Sequence, residues 1–533
     1  MNLRGPGTFA ALISASAVGA VGLCVVWMLI GSPMRVGAVR ASVPSDVPQA
    51  EPVPTRSLSG PPQAVERSDV TSSVPVVAAT RIASLEPDIA SADAESIAPA
   101  TAATDQGAKP IADEEAGIRL ALNAKRDAKA KAPSQYRGVT ILQIGDSHTS
   151  ADFFTGDLRK ILQARYGDGG PGYVTAGHPH IGVRSATLKV TNSPGWTYKA
   201  LQKSDNIAEF WLSGFNAVAA AEGESMTFAA DHAVTFDMIE IEVVRQPGGG
   251  AIDIRLDGKV ESRFDLDAPQ PDPVVIRLLP NRGATDRVKQ ITIALTRAGS
   301  VNVSSVAIYN RHSGVIYNSV GFPGATVGII NKFDERLFAS ELRRINPQIV
   351  VLSFGSNEGF NDNLDLERYA QNYERAVRKI KSTLPAATIV VIAPPDGNEL
   401  PTHCHDKGAR GPCRRASATR TPHPSPSATT ADGTQAAPEL AECVWRTPPK
   451  LNSVRSVQRD VAQREGLVYW NWASIMPSEC GADRWASQSP PLMAKDRLHF
   501  TTSGYKLSAD QFVKTLIPVI EKVRASANAL SNN

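Results

Sequence analysis

The chain has almost no excess of either charge: 56 Lys and Arg stand against 53 Asp and Glu, a formal net charge of +3 over 533 residues. That balance argues against a nucleic acid or a strongly acidic partner. Charge is missing altogether from Phe9 to Ile30, a run of 22 residues. Such a run can cross the hydrocarbon core as a helix, which takes about 20 residues, and it exceeds the roughly 7 to 15 apolar residues of a cleaved signal. Residues 1–31 are therefore expected to form a retained membrane anchor. Cleavage after Ala38, where Val36-Gly37-Ala38 ends in a small residue, is the competing outcome, and both routes export the rest of the chain. Cys24 lacks the small preceding residue that lipoprotein processing needs, because Leu23 stands there. Aromatic residues are few in the Pro-, Ala- and Ser-rich stretch 32–112. A segment of that composition cannot bury enough surface to offset its ordering entropy, so a disordered linker is predicted. A flexible coil of about 80 residues spans roughly 50 Å.

Against this background stands Thr140-Ile141-Leu142-Gln143-Ile144-Gly145-Asp146-Ser147-His148-Thr149. An apolar, β-branched run broken by glycine and small polar residues reads as a buried strand ending in a tight turn. Asp152 offers an N-cap, and Phe154, Leu158, Ile161 and Leu162 share one face before Tyr166-Gly167, so a helix follows. Ser147 then sits at the carboxyl edge of a sheet, where backbone N–H groups can hold an anion. Far down the chain, Asp496-Arg497-Leu498-His499 sets a carboxylate and an imidazole three residues apart. One short turn can aim both at the same point, with Asp496 fixing the tautomer of His499 while the other ring nitrogen faces Ser147. The apolar strand Ile349-Val350-Val351-Leu352 leads into Gly355-Ser356-Asn357-Glu358, where Asn357 offers an amide N–H to a developing oxyanion. Asp146 reads as support for the turn rather than as the acid; His148, Asp483 and Asp510 read as surface or structural.

In chain order, Gly145-Asp146-Ser147, Gly321-Phe322-Pro323-Gly324-Ala325-Thr326, Gly355-Ser356-Asn357-Glu358 and Asp496-Arg497-Leu498-His499 resemble the blocks of the SGNH/GDSL hydrolase superfamily. The resemblance implies Ser147 as nucleophile, His499 as general base and acid, and Asp496 as its orienting partner. It implies an oxyanion hole of the Ser147 N–H, the Gly324 N–H and the Asn357 side chain. The implied fold is α/β, a three-layer α/β/α sandwich around a parallel sheet, and the implied activity is carboxylic ester hydrolysis with no metal or cofactor. The longer run through Asp152-Phe153-Phe154-Thr155-Gly156 to Gly167-Asp168-Gly169-Gly170-Pro171-Gly172-Tyr173 resembles the bacterial peptidoglycan O-acetylesterase branch. That branch is similar in placing histidine, here His148, where the name motif has leucine. The expected substrate is an O-acetylated glycan, foremost peptidoglycan, with the membrane as a second partner through the N-terminal helix. Acetyl transfer to another sugar, an ester of another polysaccharide, and a glycan-binding protein with an idle hydrolase domain are the alternatives.

Two hydrolase segments, 113–176 and 312–525, are expected to flank an inserted β-sandwich at 177–311. Within the insert, Phe236 to Val244, Ala251 to Leu256, Val274 to Leu278 and Gln290 to Leu295 are short alternating or β-branched runs between turn signals. Asp257-Gly258 is a hairpin signal. The esterase branch that the chain resembles carries a comparable insert, similar to a carbohydrate-binding module. Trp196, Tyr198 and Trp211 suit either sugar stacking or core packing. A helix is predicted over Glu114 to Lys131, and strands alternating with helices from Val315 to Arg524 predict the parallel sheet. The Pro-, Thr- and Ser-rich interval 394–449 is too long for a simple connection. It holds Cys404, Cys413 and Cys443; with Cys480 these predict two disulfides, Cys404–Cys413 and Cys443–Cys480 foremost among the three pairings. His403-Cys404-His405 matches no common zinc spacing. Residues 526–533 are expected to be a disordered tail.

Overall fold

The computed structural model describes residues 119–122, 138–280, 285–311, 314–401, 404, 413–414 and 443–531. The expected anchor and linker, His403 and His405 lie outside the described residues. Among the described residues no helix is long and apolar enough to cross a membrane.

Five strands form a wholly parallel sheet in the order Val315–Gly321, Val139–Gly145, Ile349–Ser353, Thr388–Ala393 and Val468–Asn471. The central ones are buried on both faces, which is why their sequences run apolar rather than alternate. On one face, helices Glu335–Ile345, Leu366–Thr383 and Leu451–Glu465 set Phe338, Leu342, Tyr373, Val377 and Val461 against Leu142, Ile144, Val350 and Leu352. On the other, Phe153–Tyr166 and Thr502–Ser531 set Phe154, Leu158, Phe512 and Leu516 against Ile141, Val351 and Val390. This is the three-layer α/β/α arrangement. Asp334 and Asp365 cap two of the helices by accepting from backbone N–H groups one turn in.

Two differences arise at helix ends. Asp152 stands at an N-cap with φ of 51° but makes no capping bond. Its buried carboxylate accepts instead from Thr155 and Arg159 of the same helix and from Ser319 and the Ala186 N–H, so these partners take the place of the backbone cap. The last helix runs on to Ser531 rather than ending before an expected tail at 526–533. Ala525, Ala527 and Ala529 are strong helix formers and sustain it.

The remaining strands form two further sheets. One runs Arg119–Leu122, Asp272–Leu278, Met238–Arg245, Val301–Tyr309, Phe215–Ala219 and Thr197–Ala200, with Gly172–Thr175 also paired to Val301–Tyr309. The other runs Lys259–Asp265, Ala251–Leu256, Asp286–Arg297, Ser225–Phe236 and Lys189–Asn192. Ile239, Ile241, Val243 and Val306 of the first share one core with Ile252, Ile254, Ile291 and Phe228 of the second. Asp257 and Gly258, both at positive φ, close the hairpin between Leu256 and Lys259. Trp196 and Trp211 are buried, which leaves them to packing rather than to sugars.

Two expectations change here. Arg119–Leu122 is a strand, not part of a helix, and pairs in parallel with Val274–Arg277. The open edge of Asp272–Leu278 would otherwise leave a row of unpaired backbone groups, and satisfying them overrides the local helical preference. Gly172–Thr175, assigned to the hydrolase segment ending at 176, belongs to the sheet of the following interval.

A buried ionic cluster joins the helix Glu335–Ile345 to this sheet. Arg344 pairs with Glu240 and Glu242, Arg277 reaches Glu240 at 2.5 Å, and Ser305 and Tyr173 donate to Glu242. Glu341 is fully buried beside them. Burial and then the charge of Glu242 push its carboxyl well above the ordinary 4.5, against the pull of Arg344 at 3.5 Å. A carboxyl raised on folding contributes stability that is complete below about 4.5 and is lost as pH climbs towards its folded value. Glu341→Gln, neutral at every pH, is expected to lose less melting temperature than wild type as pH rises above about 5 in thermal melts.

The cysteines pair as Cys404–Cys443 and Cys413–Cys480, not with nearest neighbours in sequence. The antiparallel bridge Glu399–Arg446 lays the two ends of the 394–449 interval side by side, which brings Cys404 to Cys443.

Candidate active site

The chain passes from the strand Val139–Gly145 to Val315–Gly321 on one side, then crosses back to Ile349–Ser353 on the other, so the order reverses at the first strand. Ligands gather at the carboxyl ends of strands where that happens. Here three ends are in register, Gly321 opposite Gly145 and Gly145 opposite Ser353. The serine, glycine and asparagine blocks follow these ends directly.

Ser147 opens a single helical turn, Ser147–Ser150, capped by Asp146, whose carboxylate accepts from the His148 N–H at 3.0 Å. The turn lies so close to its neighbours that a Cβ on Gly145 would sit 2.6 Å from the Ser353 carbonyl, and one on Gly321 2.1 Å from the Ser150 nitrogen. Gln143 holds the turn from beneath, donating to Thr149 Oγ1 at 2.9 Å and accepting from Tyr317 at 2.7 Å. Burial raises the Asp146 carboxyl to about 6, against the opposing pull of its backbone bond and His499. Its place beneath the turn fits the supporting role expected of it.

The segment Asp496–His499 comes back over this turn. His499 Nε2 lies 2.9 Å from Ser147 Oγ, and Nδ1 lies 2.8 Å from Asp496 Oδ2. The other Asp496 oxygen accepts from the N–H groups of Leu498 and His499, both at 3.0 Å. Burial opposes ionisation of Asp496, yet the His499 hydrogen bond and charge, with these two N–H groups, hold it down at about 2. Burial lowers His499, but the bond and charge of Asp496 and the charge of Asp146 outweigh it, so the imidazole titrates above the ordinary 6.5. His148 is buried behind it, with ring centroids 5.4 Å apart, and accepts or donates a bond at 3.0 Å with Tyr505. Burial, then the charge of His499, drops His148 to about 3. A ring that stays neutral does not repel the imidazolium next to it.

On the opposite side, Asn357 Nδ2 donates to the Ala325 carbonyl at 2.7 Å, which orients its amide. Glu358 accepts from the Val327 N–H at 2.8 Å, so two adjacent residues clamp the segment that carries Gly324. Gly324 itself sits at φ of 75° with open space where a Cβ would be. Among the described residues, the N–H groups of Ser147 and Gly324 donate to no protein acceptor. Gln143 and Glu358 were not singled out from sequence for these tasks. A glutamine inside an apolar strand is the one local signal, since a buried amide needs partners.

Residues 303–507 match the model of the GDSL-like Lipase/Acylhydrolase family. That match covers under half of the chain; together with the fold it supports an SGNH-type hydrolase and carboxylic ester hydrolysis. Among solved structures, a peptidoglycan O-acetylesterase is similar at 24% identity and a TM-score of 0.53, over 72% of this chain and 92% of that one. A family two carbohydrate esterase from Clostridium thermocellum, in complex with cellohexaose, aligns at 10% identity and a TM-score of 0.25, over 64% of this chain and 99% of that one. A search of the curated proteins returns no match.

Proposed function

We propose that this protein is an exported serine esterase that removes O-acetyl groups from cell-envelope carbohydrate, foremost peptidoglycan. The observation that carries the chemistry is the relay Ser147 Oγ to His499 Nε2 at 2.9 Å and His499 Nδ1 to Asp496 at 2.8 Å. Ser147 attacks the acetyl carbonyl carbon as His499 takes its proton, with Asp496 stabilising the imidazolium. The N–H groups of Ser147 and Gly324 and the Asn357 amide receive the oxyanion. His499 then protonates the departing sugar oxygen, and water, activated by the same ring, releases acetate from the acetyl-enzyme.

The glycan assignment is supported by the likeness in fold to a peptidoglycan O-acetylesterase. Export, and attachment to a membrane, are supported by the uncharged run Phe9 to Ile30. The two antiparallel sheets are proposed as an inserted domain that helps position glycan. The deciding experiment measures acetate released from O-acetylated peptidoglycan beside O-acetylated xylan and alginate. Preference for xylan or alginate would overturn the peptidoglycan assignment. Asn357→Ala is expected to lower kcat on any accepted acetate ester by about 10²- to 10³-fold with KM little changed. A change confined to KM would remove Asn357 from the oxyanion hole.

A further inference from the structure

We propose that Arg497, between the acid and the imidazole, is a positioning residue that pins the Asp496–His499 turn to the disulfide-bearing loop. The proposal rests on the esterase reading above.

Arg497 occupies the left-handed region at φ of 54°, a conformation unfavourable for a non-glycine residue. It is nonetheless what lets Asp496 turn back on itself. One carboxylate oxygen meets the N–H groups of residues 498 and 499 while the other meets the His499 ring. The conformation is held from several sides. The Arg497 guanidinium lies 4.5 Å above the Trp445 ring and donates to Asp483 Oδ1 at 3.2 Å and to the Lys495 carbonyl at 2.5 Å. Its own carbonyl accepts from the Asn398 N–H at 2.9 Å. The side chain is only 20% exposed and Asp483 15%, so solvent screens this pair less than a surface ion pair.

Each anchor belongs to one connected unit. Asp483 lies on the helix Gly481–Ser487, whose first N–H groups donate to Asp396, and its own N–H donates to Asn398 at 2.7 Å. Cys413, which donates to Asp483, is bonded to Cys480 at the start of that helix. Trp445 packs with Leu400, Cys404 and Cys443. Among the described residues, Arg497 thus links the ends of the interval 394–449 to the turn that carries the imidazole.

Two substitutions separate positioning from folding. Arg497→Gly relieves the backbone strain while deleting the pin; Arg497→Lys keeps a charge for Asp483 but loses the planar contact with Trp445. With an aryl acetate, Arg497→Gly is expected to lose about 10- to 100-fold in kcat with KM within about twofold, a cost of the size that small misplacement of a catalytic group incurs. Its acidic pH limb moves to lower pH, because His499 loses part of its hold on Asp496. Arg497→Lys falls between, and Asp483→Asn added to Arg497→Gly costs little more. Proton NMR of the His499 Nδ1–H gives a readout independent of turnover: the low-field signal weakens in Arg497→Gly. Unchanged kcat, pH limb and Nδ1–H signal in folded Arg497→Gly would overturn the proposal. An inactive wild type with the expected NMR change would instead overturn the esterase reading alone.

Discussion

Ser147→Ala is expected to cut kcat for an aryl acetate by at least about 10⁴-fold, the scale seen when the nucleophile of a serine triad is removed. The hydroxyl is half-buried, and its bond is to the His499 ring, so its removal strips no core contact. The variant should therefore fold, with a melting temperature close to that of wild type. Retained folding is what makes the measurement decisive: equal turnover by the two proteins would end the assignment of Ser147 and the mechanism with it.

Asp496→Asn is expected to lower kcat on the order of 10²- to 10⁴-fold and to change the shape of the pH profile. His499 must be neutral to accept the serine proton, so activity falls as pH drops through its pKa. In wild type Asp496 keeps that value above the ordinary 6.5, and the acidic limb lies there. Without the carboxylate, burial prevails and the limb moves below it. The asparagine amide would also donate to Nδ1 and drive the ring proton to Nε2, facing Ser147. A pH–rate profile that kept its acidic limb in place would assign it to some group other than His499.

The blocks that converge on Ser147 were legible because each is a short local pattern at a strand end, where a break in apolar sequence and a few small residues define the turn. The parallel sheet was legible from alternating strand and helix patterns. What escaped reading depends on partners far off in sequence. Glu358 looks like any helical glutamate until its carboxylate is seen to accept from Val327, and Arg497 like any surface arginine until Trp445 and Asp483 surround it. The strand at Arg119–Leu122 exists through its pairing with Val274–Arg277. The cysteine pairing departs from closeness in sequence because the Glu399–Arg446 bridge brings the two loop ends together.

Ser147 and His499 meet across a separation of 352 residues. At typical synthesis rates of about 5–20 residues per second, the imidazole emerges roughly 20–70 seconds after the alcohol it serves. On the proposed mechanism, a nascent chain that has completed its early strands is chemically silent, and onset of ester cleavage clocks the last stage of maturation.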